Sequence, residues 1–148
     1  MNEWIRKEMR AIPLINVFIY GSLLPGQSNH EVVSAYAASS KPGRISGRLV
    51  DCGAYPAAVR DEIAFGRNSI IRGLWITVDR AGLAAMDRLE EFYGAEELNE
   101  YERIWVRDAA DQMVSGWVYI WVSGRGCPSV VEDYWPDFYA RKIGTANK

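Results

Sequence analysis

Ile15-Asn16-Val17-Phe18-Ile19-Tyr20-Gly21-Ser22-Leu23-Leu24-Pro25-Gly26 passes from an apolar, β-branched run into a loop bounded by glycine and proline. Its apolar residues are continuous rather than alternating, so the run reads as a strand covered on both faces and stopped at Gly21. A polar start then precedes Val32, Val33, Tyr36 and Ala37, a spacing that predicts a helix over 28–38 with Ser28 or Asn29 as its cap. In a strand-loop-helix passage, glycine lets successive backbone N–H groups converge and the helix start adds positive potential. Such a loop suits a carboxylate or phosphate. It lacks the lysine and glycine spacing of a P-loop or dinucleotide fingerprint, and most strand-glycine-serine turns are merely turns.

Outward from this stretch, strands and helices interleave. Gly43 restarts extended structure, and Ile45, Gly47, Leu49 and Asp51 alternate with Ser46, Arg48 and Val50 before the turn Gly53-Ala54-Tyr55-Pro56. Strands are predicted at 69–78, 101–108 and 114–122. A helix is predicted from Asp79, as N-cap, to Tyr93, with Gly94 as its stop. The tail over 130–143 reads as helix interrupted at Pro136. Upstream, Trp4, Ile5, Met9 and Ile12 fit a short amphipathic helix or a loose arm over 1–14, leaving 15–148 as one unit with its tail from 124 packed on it. No repeat or linker divides it, and there are more strands than the few helices would cover as crossovers. The expected fold class is α+β, a small mixed curved sheet or barrel with flanking helices.

The 148 residues, 49% apolar and 24% charged, suffice for a core without disulfides or structural metal. A net charge of −2 with neither sign in blocks leaves no footprint for nucleic acid or anionic lipid, so the expected partner is a small molecule. Cys52 and Cys127 are far apart in sequence, and His30 has no companion at a ligand interval. No metal or cofactor is predicted, and the thiols read as incidental. No apolar stretch approaches the ~18 residues of a membrane span, and the opening segment is unlike a signal peptide, so the expected address is the cytoplasm.

On the wheel of the predicted helix, Leu83, Met86, Leu89 and Tyr93 make the apolar face. Glu90 lies about 50° from its centre and Glu91 about 150° away. Burial disfavours the ionised carboxylate, so Glu90 is a candidate general acid/base; its plainer reading is a boundary residue reaching water or a cation. Trp117, Tyr119 and Trp121 share one face of their strand, as core or as a pocket wall with Tyr119 as a polar tip; Tyr101, Arg103 and Trp105 share a face of theirs. No serine or cysteine has the histidine partner of a hydrolytic triad, and His30 reads as a solvated or capping residue.

The run Val17 to Gly26 with Asn29-His30 resembles the opening motif of the gamma-glutamylcyclotransferase-like family, bacterial branch. Met86-Asp87-Arg88-Leu89-Glu90-Glu91-Phe92, followed by Tyr101-Glu102-Arg103 and the strand with Tyr119, resembles its second signature. With the turn Gly53 to Ala57 the resemblance runs collinearly over about 16–122. It implies a small barrel with a pocket at its mouth, Glu90 as catalytic acid/base, and Tyr20, Gly21, Ser22 and Leu23 as the substrate-binding loop. Tyr119 matches a pocket tyrosine and Tyr134 matches another loosely. Glu91 stands where many relatives have glycine, and the tail after Ser123 departs from the pattern.

The implied activity is release of 5-oxoproline from a γ-glutamyl amine or peptide by intramolecular attack, with no cofactor. In such a substrate the nucleophile is the substrate's own α-amine, which already enjoys a high effective molarity, so the missing triad is consistent with an enzyme. The alternative is a non-catalytic module that holds an amino-acid-like metabolite or peptide in the same pocket, with the tail aromatics Tyr134, Trp135, Phe138 and Tyr139 covering its mouth or forming an interface.

Overall fold

The apolar run forms β1 (Ile15–Ile19), and alternation along it explains why both its faces are apolar. Val17 and Ile19 enter one core cluster, with Leu23, Val33 and Met86; Phe18 and Tyr20 enter a second, with Ile45, Ile71 and Trp75. The computed structural model describes residues 13–92 and 100–146. Residues 1–12 of the proposed arm over 1–14, Tyr93 and the Gly94 stop lie outside the described residues.

Along the chain follow α1 (His30–Tyr36), β2 (Ser39–Ser46), β3 (Arg48–Asp51), β4 (Pro56–Val59) and α2 (Glu62–Gly66). Then come β5 (Ile70–Val78), α3 (Arg80–Leu89), β6 (Glu102–Arg107), β7 (Ser115–Ile120), β8 (Ser129–Val130) and α4 (Trp135–Ala146). The strands make a five-stranded sheet ordered β2-β5-β1-β7-β6 and a three-stranded sheet ordered β4-β3-β8. β1 runs antiparallel to β5, pairing Ile15 with Val78, and parallel to β7, pairing Val17 with Trp117. A bond from Trp121 N–H to the Ala58 carbonyl (3.0 Å) links the end of β7 to β4. This is the expected small mixed α+β fold, with curved open sheets and flanking helices. Among the described residues no helix is long and apolar enough to cross a membrane.

Four boundaries differ from the sequence reading. The single strand expected over 45–51 breaks at Gly47, whose φ of 156° turns the chain from one sheet into the other. Helix 28–38 shortens to α1; Asn29 precedes it without a side-chain capping bond, because its amide is used elsewhere. Asp79 caps α3 as expected, accepting from Gly82 N–H at 2.8 Å, but the helix stops at Leu89 rather than Tyr93. In the tail, Val130 belongs to β8 and α4 starts only at Trp135. Pro136 therefore sits in its first turn, where a missing N–H is harmless, and interrupts nothing. Trp135 is buried in the second cluster, stacked on Tyr139 and tilted against Phe138 (ring centroids 5.3 and 5.4 Å).

Asp108 binds the sheet together at the end of β6. It accepts from Arg44 N–H (2.8 Å), Trp75 Nε1 (2.9 Å), Ala110 N–H and Asp111 N–H. Burial pushes its carboxyl pKa up, but these donors outweigh that and hold it below the usual carboxylate range. Asp108→Ala strands a buried indole N–H and several amides; a loss of about 3 kcal/mol is expected in urea unfolding. An unchanged midpoint would contradict this account.

Candidate active site

Where β1 ends, the chain turns back on itself before it enters α1. Leu24 N–H bonds the Gly21 carbonyl (3.0 Å) and Asn29 N–H the Ser22 carbonyl (2.8 Å). Asn29 Nδ2 donates to Ser22 Oγ (3.0 Å), and His30 Nδ1 contacts the Leu23 carbonyl oxygen (2.8 Å), so both residues brace the loop. Gly21 does not adopt a positive φ. It is required by close approach, since a Cβ there would lie 2.7 Å from Pro56 Cγ. The N–H groups of Ser22 and Leu23 bond to no described backbone carbonyl and remain available to a ligand.

This loop, the turn Ala54-Tyr55-Pro56, the end of α3 and Tyr119 enclose a cavity of about 320 Å³. Tyr20, Gly21, Ser22, Leu23, Glu90 and Tyr119 all line it. Tyr134 is not brought there: its ring lies under the Arg72 guanidinium (4.8 Å to the centroid), on the way to α4. The buried Tyr20 offers the cavity its ring, because its hydroxyl is already committed. It donates to the Tyr119 carbonyl (2.6 Å), accepts from Ala58 N–H (3.0 Å), and so joins β1, β7 and β4.

Glu90 sits just past the last residue of α3, its N–H still bonded to the Met86 carbonyl (2.9 Å). Glu91 follows in the left-handed region (φ 52°), the conformation that ends helices and that glycine adopts most easily. That explains the helix stop. Leu89, expected on the buried face, is 36% exposed, whereas Met86 is 1% exposed. The helix end thus turns the Glu90 side chain into the cavity wall. Burial first, and the negative charge of Glu100 second, push its carboxyl up from 4.5 to about 7.

The folded state therefore binds more protons than the unfolded chain between about pH 4.5 and pH 7, and wild-type stability falls across that window as pH rises. Glu90→Gln, which mimics the neutral acid, should match the wild type below about pH 4. At pH 8 it should be more stable by roughly 2 kcal/mol, less than the full shift gives because the side chain is partly solvated. Equal urea midpoints at both pH values would contradict a raised pKa.

Sequence reasoning missed what fixes this helix end. Asp87, three residues before Glu90, accepts from Tyr119 OH (2.6 Å) and pairs with Arg103 Nη1 (2.7 and 2.9 Å). Arg103 stands opposite Tyr119 in the β6–β7 register and lies between the rings of Phe92 and Trp117 (4.9 and 4.6 Å). The available signal was the three-residue spacing of Asp87 and Glu90 beside the shared face of Tyr101, Arg103 and Trp105. Tyr101, also in the cavity wall, donates to the Pro56 carbonyl (2.9 Å). Glu100, at the rim, pairs with Arg125 (3.1 Å). Among the described residues, no group of three or more His, Cys, Asp or Glu side chains is placed to hold a metal ion.

A carboxyl whose pKa burial raises toward neutrality, lining the same cavity as unpaired backbone donors, can move a proton on a bound molecule whose anionic group those donors hold. The family model described as "Gamma-glutamyl cyclotransferase, AIG2-like" matches residues 17–137. The gamma-L-glutamyl-butirosin B gamma-glutamyl cyclotransferase of Niallia circulans is 31% identical over 110 residues, 72% of this chain and 66% of that protein, just under two thirds of its length. Among solved structures, YkqA of Bacillus subtilis superposes with a TM-score of 0.67 at 16% identity, covering 89% of this chain and 43% of that one. An AIG2-like protein of Mus musculus gives 0.65 at 23% identity, covering 82% and 88%. At these identities the two structures show a shared fold.

Proposed function

From the premise that this chain belongs to the gamma-glutamyl cyclotransferase, AIG2-like family, which supports a cyclotransferase-type activity, we propose that it releases 5-oxoproline from a γ-glutamyl amine or peptide. The observation that carries the proposal is the placement of Glu90, whose carboxyl is pushed up to about 7 by burial, in the same cavity as the loop of Tyr20 to Leu23.

In the proposed reaction the substrate's α-ammonium first loses one proton to solvent. The resulting amine attacks the γ-carbonyl carbon and closes a five-membered ring. The Glu90 carboxylate takes a second proton from the attacking nitrogen and returns it to the nitrogen of the departing amine. The bond between that nitrogen and the γ-carbon then breaks. The Ser22 and Leu23 amides supply donors for the α-carboxylate or for the developing oxyanion. Because the Tyr119 proton is committed to Asp87, its hydroxyl oxygen presents lone pairs to the substrate's nitrogen.

Incubation with a panel of γ-glutamyl peptides and γ-glutamyl amines, including the substrate that names the Niallia circulans relative, tests this. The expected result is 5-oxoproline from at least one; none from any would overturn the proposal. The reading as a binding module drew on the tail aromatics. Trp135, Phe138 and Tyr139 pack into the second core cluster instead of the cavity, and no observation favours it.

A further inference from the structure

The antiparallel register of β3 and β8 pairs Leu49 with Val130 and Val50 with Ser129. It continues one step further, because Asp51 N–H donates to the Pro128 carbonyl at 2.8 Å. The next opposed pair in that register is Cys52 and Cys127, residues separated by 75 positions. Hydrogen-bonded and non-hydrogen-bonded pairs alternate along an antiparallel ladder. The non-hydrogen-bonded ones hold Cα atoms about 4.5 Å apart, within the ~4.4–6.8 Å that a disulfide spans. The two cysteines occupy such a position. Cys52 N–H turns outward to the Tyr55 carbonyl (3.0 Å), and Cys127 N–H turns outward to the Gly124 carbonyl (2.8 Å). Both side chains pack against the same core cluster and both are free and partly exposed; the Cys52 thiol donates to the Val50 carbonyl (3.7 Å) and lies close enough to Cys127 for that neighbour to raise its pKa.

We propose that Cys52 and Cys127 are a dithiol site that exchanges with small-molecule disulfides to form a reversible intramolecular bond. The Cys127 thiolate attacks the small disulfide, forming a mixed disulfide and expelling one small thiol. Cys52 then gives up its proton and attacks the Cys127 sulfur, expelling the second. Two protein thiols are oxidised, one small disulfide is reduced to two thiols, and no other oxidant is needed. Burial and the neighbouring Cys127 push the Cys52 thiol up to about 12, so the second step is the slow one and quickens as pH rises. The bond would tie the turn that carries Ala54, Tyr55 and Pro56, one wall of the cavity, to the turn that follows β7. The site stands on the register of β3 and β8 and the outward-turned N–H groups, independently of any reaction in the cavity.

The test is incubation of the full chain with excess oxidised glutathione, read by thiol titration, intact mass and peptide mapping. The expected wild-type product has lost both titratable thiols and two hydrogens, retains no glutathione, links Cys52 to Cys127, and reverts with dithiothreitol. Its Tm should rise by roughly 5 °C. Cys52→Ser and Cys127→Ser should each instead retain one glutathione as a stable mixed disulfide. Two thiols still titratable at equilibrium, a stable glutathione adduct on the wild type, or linkage only between chains would overturn the proposal. If either variant fails to fold, the wild-type mass and map decide the question alone.

Discussion

Glu90→Gln is expected to lower 5-oxoproline release by at least ~10³-fold while leaving the fold intact. General acid–base catalysis typically contributes 10²–10⁴, and here one carboxyl carries both the acceptance and the return of the proton. The amide is nearly isosteric with the neutral acid that Glu90 becomes below about pH 7, so packing at the end of α3 is preserved. Circular dichroism and urea unfolding should therefore show a folded variant, at least as stable as the wild type above neutrality. In the wild type, kcat/KM should rise with pH through about 7, because the reaction begins from the ionised carboxylate. A rate that falls across that range would assign Glu90 the opposite starting state. Retained turnover in the glutamine variant would remove it from the mechanism altogether.

The second large effect is expected at a residue that touches no substrate. Asp87→Ala removes the partner of both Arg103 and Tyr119, whose side chains are fixed between Phe92, Trp117 and the cavity. The Asp87 and Arg103 side chains are 22% and 18% exposed, so the abandoned guanidinium is poorly solvated and a loss of roughly 2–4 kcal/mol is expected in urea. Asp87 also anchors the helix end that aims Glu90, so kcat should fall more than KM changes. A purely structural role would stop there. A positioning role adds a displaced pH profile: with the negative charge gone and a neighbouring cation unpaired, ionised Glu90 is favoured and the acidic limb moves to lower pH. An unmoved limb with unchanged kcat would separate Asp87 from the site.

What the chain alone determined is what depends on neighbours a few positions away. The apolar run of 15–19, the capping of α3 by Asp79, and the shared face of Trp117, Tyr119 and Trp121 follow from side-chain period and hydrogen-bonding chemistry. The collinear motifs carried the family, and with it the expectation that Glu90 and the loop after Tyr20 share a pocket, whose lining includes both. Tertiary structure decided how those pieces meet. A helical wheel keeps turning past residue 89, but the left-handed Glu91 stops it, and its carbonyl accepts from Glu100 N–H at 3.0 Å. Alternation over 45–51 does not disclose that Gly47 divides the strand between two sheets, and a loose match at Tyr134 does not disclose that α4 leads it away from the cavity. The ion pair of Asp87 with Arg103 and the hydroxyl of Tyr119 held by Asp87 arise only where α3 meets β6 and β7, and the facing of Cys52 with Cys127 only from the register of β3 with β8. Such meetings follow from burying the apolar residues of both sheets in shared core clusters, a condition imposed by the whole core and by no local segment.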